Sequence, residues 1–155
     1  MKRLFLAALA TAATLASLPA AAQFQKPEDA IKYRQSAFTV MGAHFGRIGA
    51  MANGRVPFDA KAVADNMVIV NDLARLPFTA FGPGTDKGMP HRAKPEIWSD
   101  AAKFKAAGDK MVAEIAKLDA AAKGGNQDAI KTAFGAVGAT CKGCHDDFRA
   151  EKYSQ

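Results

Sequence analysis

The chain repeats its apolar residues at helical spacing in four separate segments, and this periodicity restricts the fold more than any other feature of the sequence. Steps of three, four or seven residues place side chains on one face of a helix. Strand-forming residues never alternate with polar ones over a usable length. The pattern therefore predicts an all-α protein, an antiparallel up-down four-helix bundle in which the apolar faces pack together. The faces are Ile31, Phe38, Met41, Phe45 and Ile48; Val63, Met67 and Val70, with Leu73 one position off; Phe104, Met111, Ile115 and Leu118; and Ile130, Phe134, Val137, Cys141, Cys144 and Phe148.

Residues that favour helix ends predict the limits of the first two helices. The first helix is expected to begin at Pro27, with two acidic residues in its first turn, and to end within residues 49–54. Asp59 is expected to cap the start of the second helix, because its side chain can accept a hydrogen bond from the first turn. Pro77 is expected to end that helix, since proline cannot continue it.

The second half of the chain contains similar signals around a long connection. Residues 77–95 hold three glycines and four prolines and show no periodicity. A loop of this length in a compact domain tends to be functional or mobile. Gly124 and Gly125 are expected to end the third helix, and Asn126 to cap the fourth.

The first 22 residues have the layout of a secretory signal peptide. Lys2 and Arg3 precede an apolar run that reaches Leu18, and three alanines follow at residues 20–22. This is the order of a positive start, a hydrophobic segment and a small-residue cleavage site, and the run is too short for a membrane anchor. Cleavage would leave residues 23–155, which form one domain of 133 residues. We expect a soluble periplasmic protein with no membrane partner.

The charge balance is moderately basic. The full chain has 21 basic and 15 acidic residues, and they never form a block of five or six like charges. Such a balance fits solubility and docking to an acidic redox partner, which the sequence does not identify. Basic residues form no stripe interleaved with aromatic ones, so nucleic acid is not an expected partner.

Residues 141–145 read Cys-Lys-Gly-Cys-His, which is the C-x-x-C-H signature of c-type haem attachment. Two thiols three residues apart lie on one side of a helical turn, where they can add to the two vinyl groups on one edge of a porphyrin. The imidazole of His145 can then reach the iron as its axial ligand. Because Cys141 and Cys144 belong to the fourth apolar face, we expect one haem c per chain in the bundle core.

Other uses of the two cysteines fit the sequence less well. A disulfide between Cys141 and Cys144 would be strained by a three-residue spacing within a helix. A thioredoxin-like pair requires a βαβ setting, which the sequence does not predict. Zinc would need two ligands beyond the motif, and only His44 and His91 remain among the histidines.

The position of the motif near the end of the chain is also informative, since the common small c-type cytochromes carry it near the start. Together with three other segments, it resembles the cytochrome c′ family, the class II cytochromes c. The likeness extends from residue 23 to about residue 152. The other segments are Lys-Pro-Glu-Asp-Ala at 26–30 with Tyr-Arg-Gln-Ser at 33–36, Phe-Gly-Pro-Gly-Thr at 81–85, and Pro-Glu-Ile-Trp-Ser-Asp-Ala at 95–101.

This resemblance implies an arrangement around the haem. It implies a bundle, commonly a homodimer, whose iron is five-coordinate and high-spin with histidine as its only protein ligand. It also implies that Phe38 covers the distal side of the haem, opposite the histidine, where many relatives have leucine. The residues that it places near the haem are Phe38, Phe78 and Phe81 in the distal pocket, with Arg34, Gln35, Glu96 and Arg149 as further haem contacts.

These implications indicate a gas-binding and redox-active haem protein rather than an enzyme. NO and CO bind ferrous haem without a hydrogen bond, whereas bound O₂ gains from a distal donor, which Phe38 lacks. The family that the sequence resembles binds nitric oxide and is linked to nitric oxide handling or electron transfer. Beyond the haem motif, the sequence contains no acid–base or nucleophilic constellation.

Two other functional classes remain open. Met41 lies one turn from Phe38 on the same face, and as a sixth iron ligand it would make a low-spin electron carrier; otherwise it fills the core. A peroxidase would need a distal base. His44 is the candidate in the first helix, but we expect it at the surface or at an interface. His91 is expected to be solvated in the long loop.

Overall fold

The computed structural model describes residues 24–154. These residues form four long helices and one short one, which are named α1 to α5 in chain order. The helices are α1 (Pro27–Ala52), α2 (Ala60–Leu73), α3 (Glu96–Ser99), α4 (Ala101–Gly124) and α5 (Gln127–Phe148). The all-α prediction is confirmed. The predicted signal peptide at residues 1–22 lies outside the described residues.

The four long helices enclose one core. α1 and α4 each contact both α2 and α5, so every long helix has two long neighbours. Short turns at residues 53–59 and 125–126 reverse the chain and make α1 antiparallel to α2, and α4 antiparallel to α5. The predicted four-helix bundle is confirmed. Its most buried apolar side chains come from all four predicted faces: Ile31, Ile48, Val63, Met67, Val70, Ile115, Leu118, Ile130 and Val137.

Most of the predicted helix ends are confirmed. The Asp59 carboxylate accepts a hydrogen bond from the Ala62 amide (3.0 Å) at the start of α2. The Asn126 side chain accepts one from the Ala129 amide (2.9 Å) at the start of α5. Gly125 ends α4 with a φ of +67°, a left-handed conformation that favours glycine.

The connection between α2 and α4, residues 74–100, is more regular than predicted. α2 ends at Leu73, and Pro77 lies in the first turn of a 3₁₀ helix over Leu76–Ala80. The prediction that Pro77 ends α2 was therefore wrong, because its fixed φ begins a new turn instead. α3 is separated from α4 by Asp100, whose side chain accepts a hydrogen bond from the Lys103 amide (3.1 Å).

The tail after α5 folds back along this connection. Residues 91–94 lie beside residues 148–154, and we call this pairing the C-terminal clasp. Its backbone hydrogen bonds run from Lys94 N to Phe148 O, from Ala150 N to Arg92 O and from Ser154 N to His91 O, at 2.7–3.0 Å. The clasp ties the long connection to the end of α5, next to the C-x-x-C-H motif. Over residues 24–154, no helix combines the length and the apolar character needed to span a bilayer.

Candidate cofactor site

A cavity of about 630 Å³ opens between the helices at the end of the bundle that carries the C-x-x-C-H motif. This volume is typical of sites for small molecules and cofactors. Its wall is largely apolar and aromatic, with a few polar groups. It is lined by Phe38, Met41 and Phe45 from α1; Phe104, Met111 and Ile115 from α4; Val137, Cys141, Cys144, His145 and Phe148 from α5; and Phe78, Phe81, His91 and Ile97 from the long connection, among others.

Both thiols line this cavity. Cys141 and Cys144 are half-buried and form no disulfide. Cys141 packs on the main core, whereas Cys144 packs on a second apolar cluster built around Ile97, Phe104 and Phe148. Burial raises the pKa of both thiols, and the neighbouring Cys141 and Asp147 raise that of Cys144 further. The two sulfurs are therefore neutral thiols at neutral pH and are both accessible from the cavity.

His145 lines the same cavity, although the residue as a whole is exposed. Partial burial lowers the pKa of its imidazole, and the positive charges of Arg149 and Arg92 lower it further. A lowered pKa favours the neutral imidazole, which is the form that binds metals. The helical spacing of the motif thus brings two thiols and one neutral imidazole to one wall.

The three phenylalanines assigned to the distal pocket also line the cavity. The rings of Phe38 and Phe78 meet edge to face, with centroids 5.9 Å apart and planes at 88°. Phe81 packs against Phe104, with centroids 4.9 Å apart. Met41 is buried one turn beyond Phe38 and lines the same cavity.

Arg34 is an unusual lining residue because its cation is buried, with only 3% of the residue exposed. Its guanidinium donates to Ala80 O (3.0 Å), Thr85 Oγ1 (3.0 Å) and Thr85 O (2.8 Å), and it lies 4.3 Å from the centre of the Phe81 ring. Burial lowers its pKa to about 10, while Asp86 opposes this shift. The residue thus keeps its charge at neutral pH. Its three acceptors are uncharged, so the cation could also attract an anionic group within the cavity.

Of the three other predicted haem contacts, two line the cavity and one does not. Gln35 lines the cavity, and its side-chain amide donates to Pro90 O (3.1 Å). Arg149 is exposed, lines the cavity and follows the last residue of α5. Glu96 is exposed in α3 and does not belong to the lining residues.

The two other histidines have separate environments. His44 is half-buried, and its Nδ1 lies 2.8 Å from Asn66 Oδ1 on α2; it does not line the cavity. His91 lines the cavity and is only 5% exposed, so the prediction that it is solvated was wrong. The reason is the C-terminal clasp, which covers the segment that carries it. Its Nε2 lies 2.8 Å from Asp86 O, and its Nδ1 accepts from the Ala93 amide (3.1 Å).

Sequence reasoning missed the polar lining residues supplied by the clasp. Arg92 donates from Nε to Ala150 O (2.6 Å), and its guanidinium lies 5.9 Å from the centre of the Tyr153 ring. Both side chains line the cavity. No local pattern predicts this pairing, because the two segments are about 60 residues apart and neither is periodic. Phe148 was predicted only as a core residue, although its place one turn after Cys144 put it beside the motif.

The residues present fit a covalently attached haem. Two free thiols and a neutral imidazole share one wall of a largely apolar cavity, and the buried cation of Arg34 also lines it. A four-helix bundle with this site belongs to the class of c-type cytochromes. A family model described as cytochrome C′ matches residues 29–149. The chain belongs to the cytochrome c′ family, and its cofactor is haem c, which this family holds through a cysteine pair.

Individual relatives agree with this assignment. A cytochrome c′ from Rubrivivax gelatinosus is 61% identical over 127 residues, which are 82% of this chain and 98% of the relative. Its crystal structure matches with a TM-score of 0.80 and covers 82% of this chain and 99% of that one. A nitric oxide complex of a mutant cytochrome c prime from Alcaligenes xylosoxidans is 50% identical, with a TM-score of 0.79 and coverage of 84% and 100%. A carbon monoxide-bound variant from the same organism is also 50% identical, with a TM-score of 0.78 and coverage of 83% and 100%.

Proposed function

We propose that this chain is a haem protein that binds NO and CO at an open, apolar distal position and undergoes one-electron redox change. The observation that carries the proposal is the ring of Phe38, which lines the cavity from α1 and offers no hydrogen-bond donor. When bound, the haem would supply an iron that accepts gaseous ligands and exchanges an electron, and we infer that this iron is five-coordinate and high-spin.

The motif on α5 performs attachment and ligation. Cys141 and Cys144 would form the two thioether bonds, and His145 would hold the iron through its neutral imidazole. Arg149 and Arg92 contribute positive charge beside this imidazole. They therefore disfavour its protonation, which would compete with metal binding. Arg34 and Gln35 would meet the polar edge of the haem.

Phe38 determines which ligands are favoured. Its ring is apolar and is supported by Phe78, so a bound diatomic molecule would meet no donor from this residue. O₂ needs such a donor more than NO or CO does. The NO and CO complexes of the Alcaligenes xylosoxidans relatives support the same ligand class for this chain.

A second candidate is a low-spin electron carrier, which Met41 favours because it lines the cavity next to Phe38.

An enzymatic role is less well supported. His44 is engaged with Asn66, and both ring nitrogens of His91 lie within hydrogen-bond distance of backbone groups of the long connection. Neither is arranged as a free distal base of the kind that a peroxidase requires.

The proposal includes export and assembly. Cleavage after Ala22 would release residues 23–155 into the periplasm, where the haem is attached, and the mature chain would form a homodimer. The layout of residues 1–22 supports export, and family membership supports the dimer. N-terminal sequencing and sedimentation equilibrium of the mature holoprotein test these two points.

One experiment tests haem attachment. The holoprotein is produced in a periplasm and weighed under denaturing conditions, and we expect the mass of the mature chain plus one haem. A Cys141→Ser/Cys144→Ser double variant should have the mass of the bare chain. A wild-type chain with the bare mass would contradict covalent attachment.

Absorption spectra separate the two candidate functions. An open iron gives a broad high-spin spectrum, and the ferrous form changes on addition of NO or CO. Methionine ligation would instead give its weak long-wavelength band in the ferric protein. If that band disappears in a Met41→Leu variant, the low-spin alternative is correct and the gas-binding proposal is wrong.

A further inference from the structure

The ring of Phe38 is supported by a second ring, that of Phe78. Their edge-to-face contact is an arrangement that aromatic pairs prefer. Phe38 comes from the middle of α1, whereas Phe78 comes from the 3₁₀ turn in the long connection. Both rings line the cavity. The space available to Phe38 therefore depends on where Phe78 lies.

The Phe78 ring in turn rests on α4. It packs against Phe104, with centroids 5.6 Å apart and planes at 55°. It also lies directly on the backbone at Gly108. A Cβ at residue 108 would be 2.9 Å from Phe78 Cε1 and 3.1 Å from Cζ. Such distances are too short for carbon atoms in a packed interior, so any side chain at residue 108 would displace the ring.

The backbone conformation at residue 108 does not require a glycine. Gly108 is buried in the middle of α4 and does not have a positive φ. Glycine in a helix interior is less stable than alanine. The close approach of Phe78 explains why residue 108 is a glycine. Gly135 on α5 is a useful contrast, because it is also helical but a Cβ there would meet nothing within 4 Å.

We propose that Gly108 and Phe78 are positioning residues that hold Phe38 across the distal side of the haem and thereby set the rate at which gaseous ligands enter. The inference rests on the proposed function, since it requires an open distal position. A methyl group at residue 108 would push Phe78 off α4. Phe104 and Phe38 both pack against the Phe78 ring. We expect the displaced ring to move away from Phe104 toward Phe38 and to narrow the space into which Phe38 can turn.

The test is the rate of CO association with the ferrous holoprotein. Gly108→Ala should slow association by about fivefold, which corresponds to a barrier higher by about 1 kcal/mol, because a displaced Phe78 leaves Phe38 less room to turn aside. Phe78→Leu leaves α4 untouched and removes the supporting ring, so association should become faster. Gly135→Ala adds the same methyl group to an open surface and should leave the rate unchanged.

A double variant tests the coupling directly. In a Phe78→Leu background, the methyl group of Gly108→Ala meets a smaller, more flexible side chain. Its effect on the CO association rate should therefore largely disappear. Additive effects of the two substitutions on that rate would overturn the proposal. So would an unchanged rate in Phe78→Leu.

Crystal structures of the holoprotein variants provide a readout that does not depend on ligand binding. We expect Gly108→Ala to show Phe78 and Phe38 displaced with α4 in place. If Gly108→Ala lowers stability but leaves the Phe38 ring and the CO association rate as in the wild type, the proposal is wrong. Failure of the proposed function is recognised separately, because then the wild-type ferrous protein itself would not bind CO.

Discussion

At the scale of single residues, Phe38 and Arg34 serve different purposes in the same cavity. Phe38 presents an apolar ring, whereas Arg34 presents a buried cation. In the proposed function, Phe38 affects which ligand enters. Arg34 affects whether the long connection stays closed over the site, because all three of its hydrogen-bond acceptors belong to that connection.

Phe38→Ala should speed CO association with the ferrous holoprotein by roughly tenfold or more, which corresponds to a barrier lower by about 1.4 kcal/mol. The reason is that the substitution removes the ring that we propose to crowd the ligand position. Flash photolysis measures the rate. Val40→Ala is a matched control, since Val40 lies on α1 but is 44% exposed and does not line the cavity. An unchanged rate in Phe38→Ala would show that another residue covers the distal side.

Arg34→Ala should lower the free energy of unfolding by about 4 kcal/mol or more, because it removes three hydrogen bonds to a charged group, which contribute about 1.5–3 kcal/mol each. Urea titration of the holoprotein measures the change, and amide exchange should become faster at Thr85. Gln35→Ala removes a single exposed hydrogen bond from the adjacent position and should cost less than about 1 kcal/mol. Equal losses of unfolding free energy in Arg34→Ala and Gln35→Ala would contradict the stabilising role of the buried Arg34 cation.

At the scale of helices, α1 and α5 are in tight contact at Gly49. A Cβ at this position would lie 2.6 Å from Phe134 Cε2, so the ring of Phe134 packs on bare backbone. Phe134 also stacks on Phe45, with centroids 4.2 Å apart. α1 and α5 both line the cavity, since α5 carries the haem motif and α1 carries Phe38.

Gly49→Ala should therefore destabilise the protein by about 1–3 kcal/mol, because overpacking forces the Phe134 ring or the helix to move. Gly46→Ala is the matched control one turn earlier on α1, where a Cβ would meet nothing within 4 Å. It should stabilise the protein by about 0.5–1 kcal/mol through helix propensity. Thermal unfolding of both holoproteins measures the difference. Stabilisation by both substitutions would mean that α1 and α5 are not in close contact.

At the scale of the whole molecule, the C-terminal clasp joins two segments that are distant in sequence and closes one side of the cavity. It holds His91, Arg92 and Tyr153 in the lining. The backbone hydrogen bonds do not depend on which side chains are present, whereas the contact of Arg92 with Tyr153 does. The tail therefore stabilises the long connection as well as the end of α5.

Removal of residues 153–155 should lower the free energy of unfolding by about 1 kcal/mol, since the hydrogen bonds lost are partly exposed and each contributes about 0.5–1.5 kcal/mol. Exchange of the His91 amide should become faster, because it donates to Ser154 Oγ (3.0 Å). Ser154→Ala removes that acceptor but keeps the backbone hydrogen bond to His91 O, so its effect on stability should be smaller. If the truncated protein keeps the wild-type exchange rate at His91, the clasp is not closed in solution.

The sequence by itself determined those features that depend on neighbours along the chain. The apolar periodicity predicted the four helices, and Asp59, Asn126 and Gly125 marked ends that the structure confirms. The spacing of Cys141 and Cys144 placed both thiols on one wall, because a helical turn always brings residues three apart to the same side. Family resemblance added Phe38, Phe78 and Arg34, which do line the cavity.

Only the tertiary structure decided what depends on segments far apart in sequence. Three features join parts of the chain that have unrelated local patterns. They are the burial of His91, the C-terminal clasp and the packing of Phe78 on Gly108. Periodicity cannot predict such contacts, because they arise from how helices and connections pack once the core has formed. Short-range geometry thus specifies the motif and the helices, whereas close packing shapes the cavity around them.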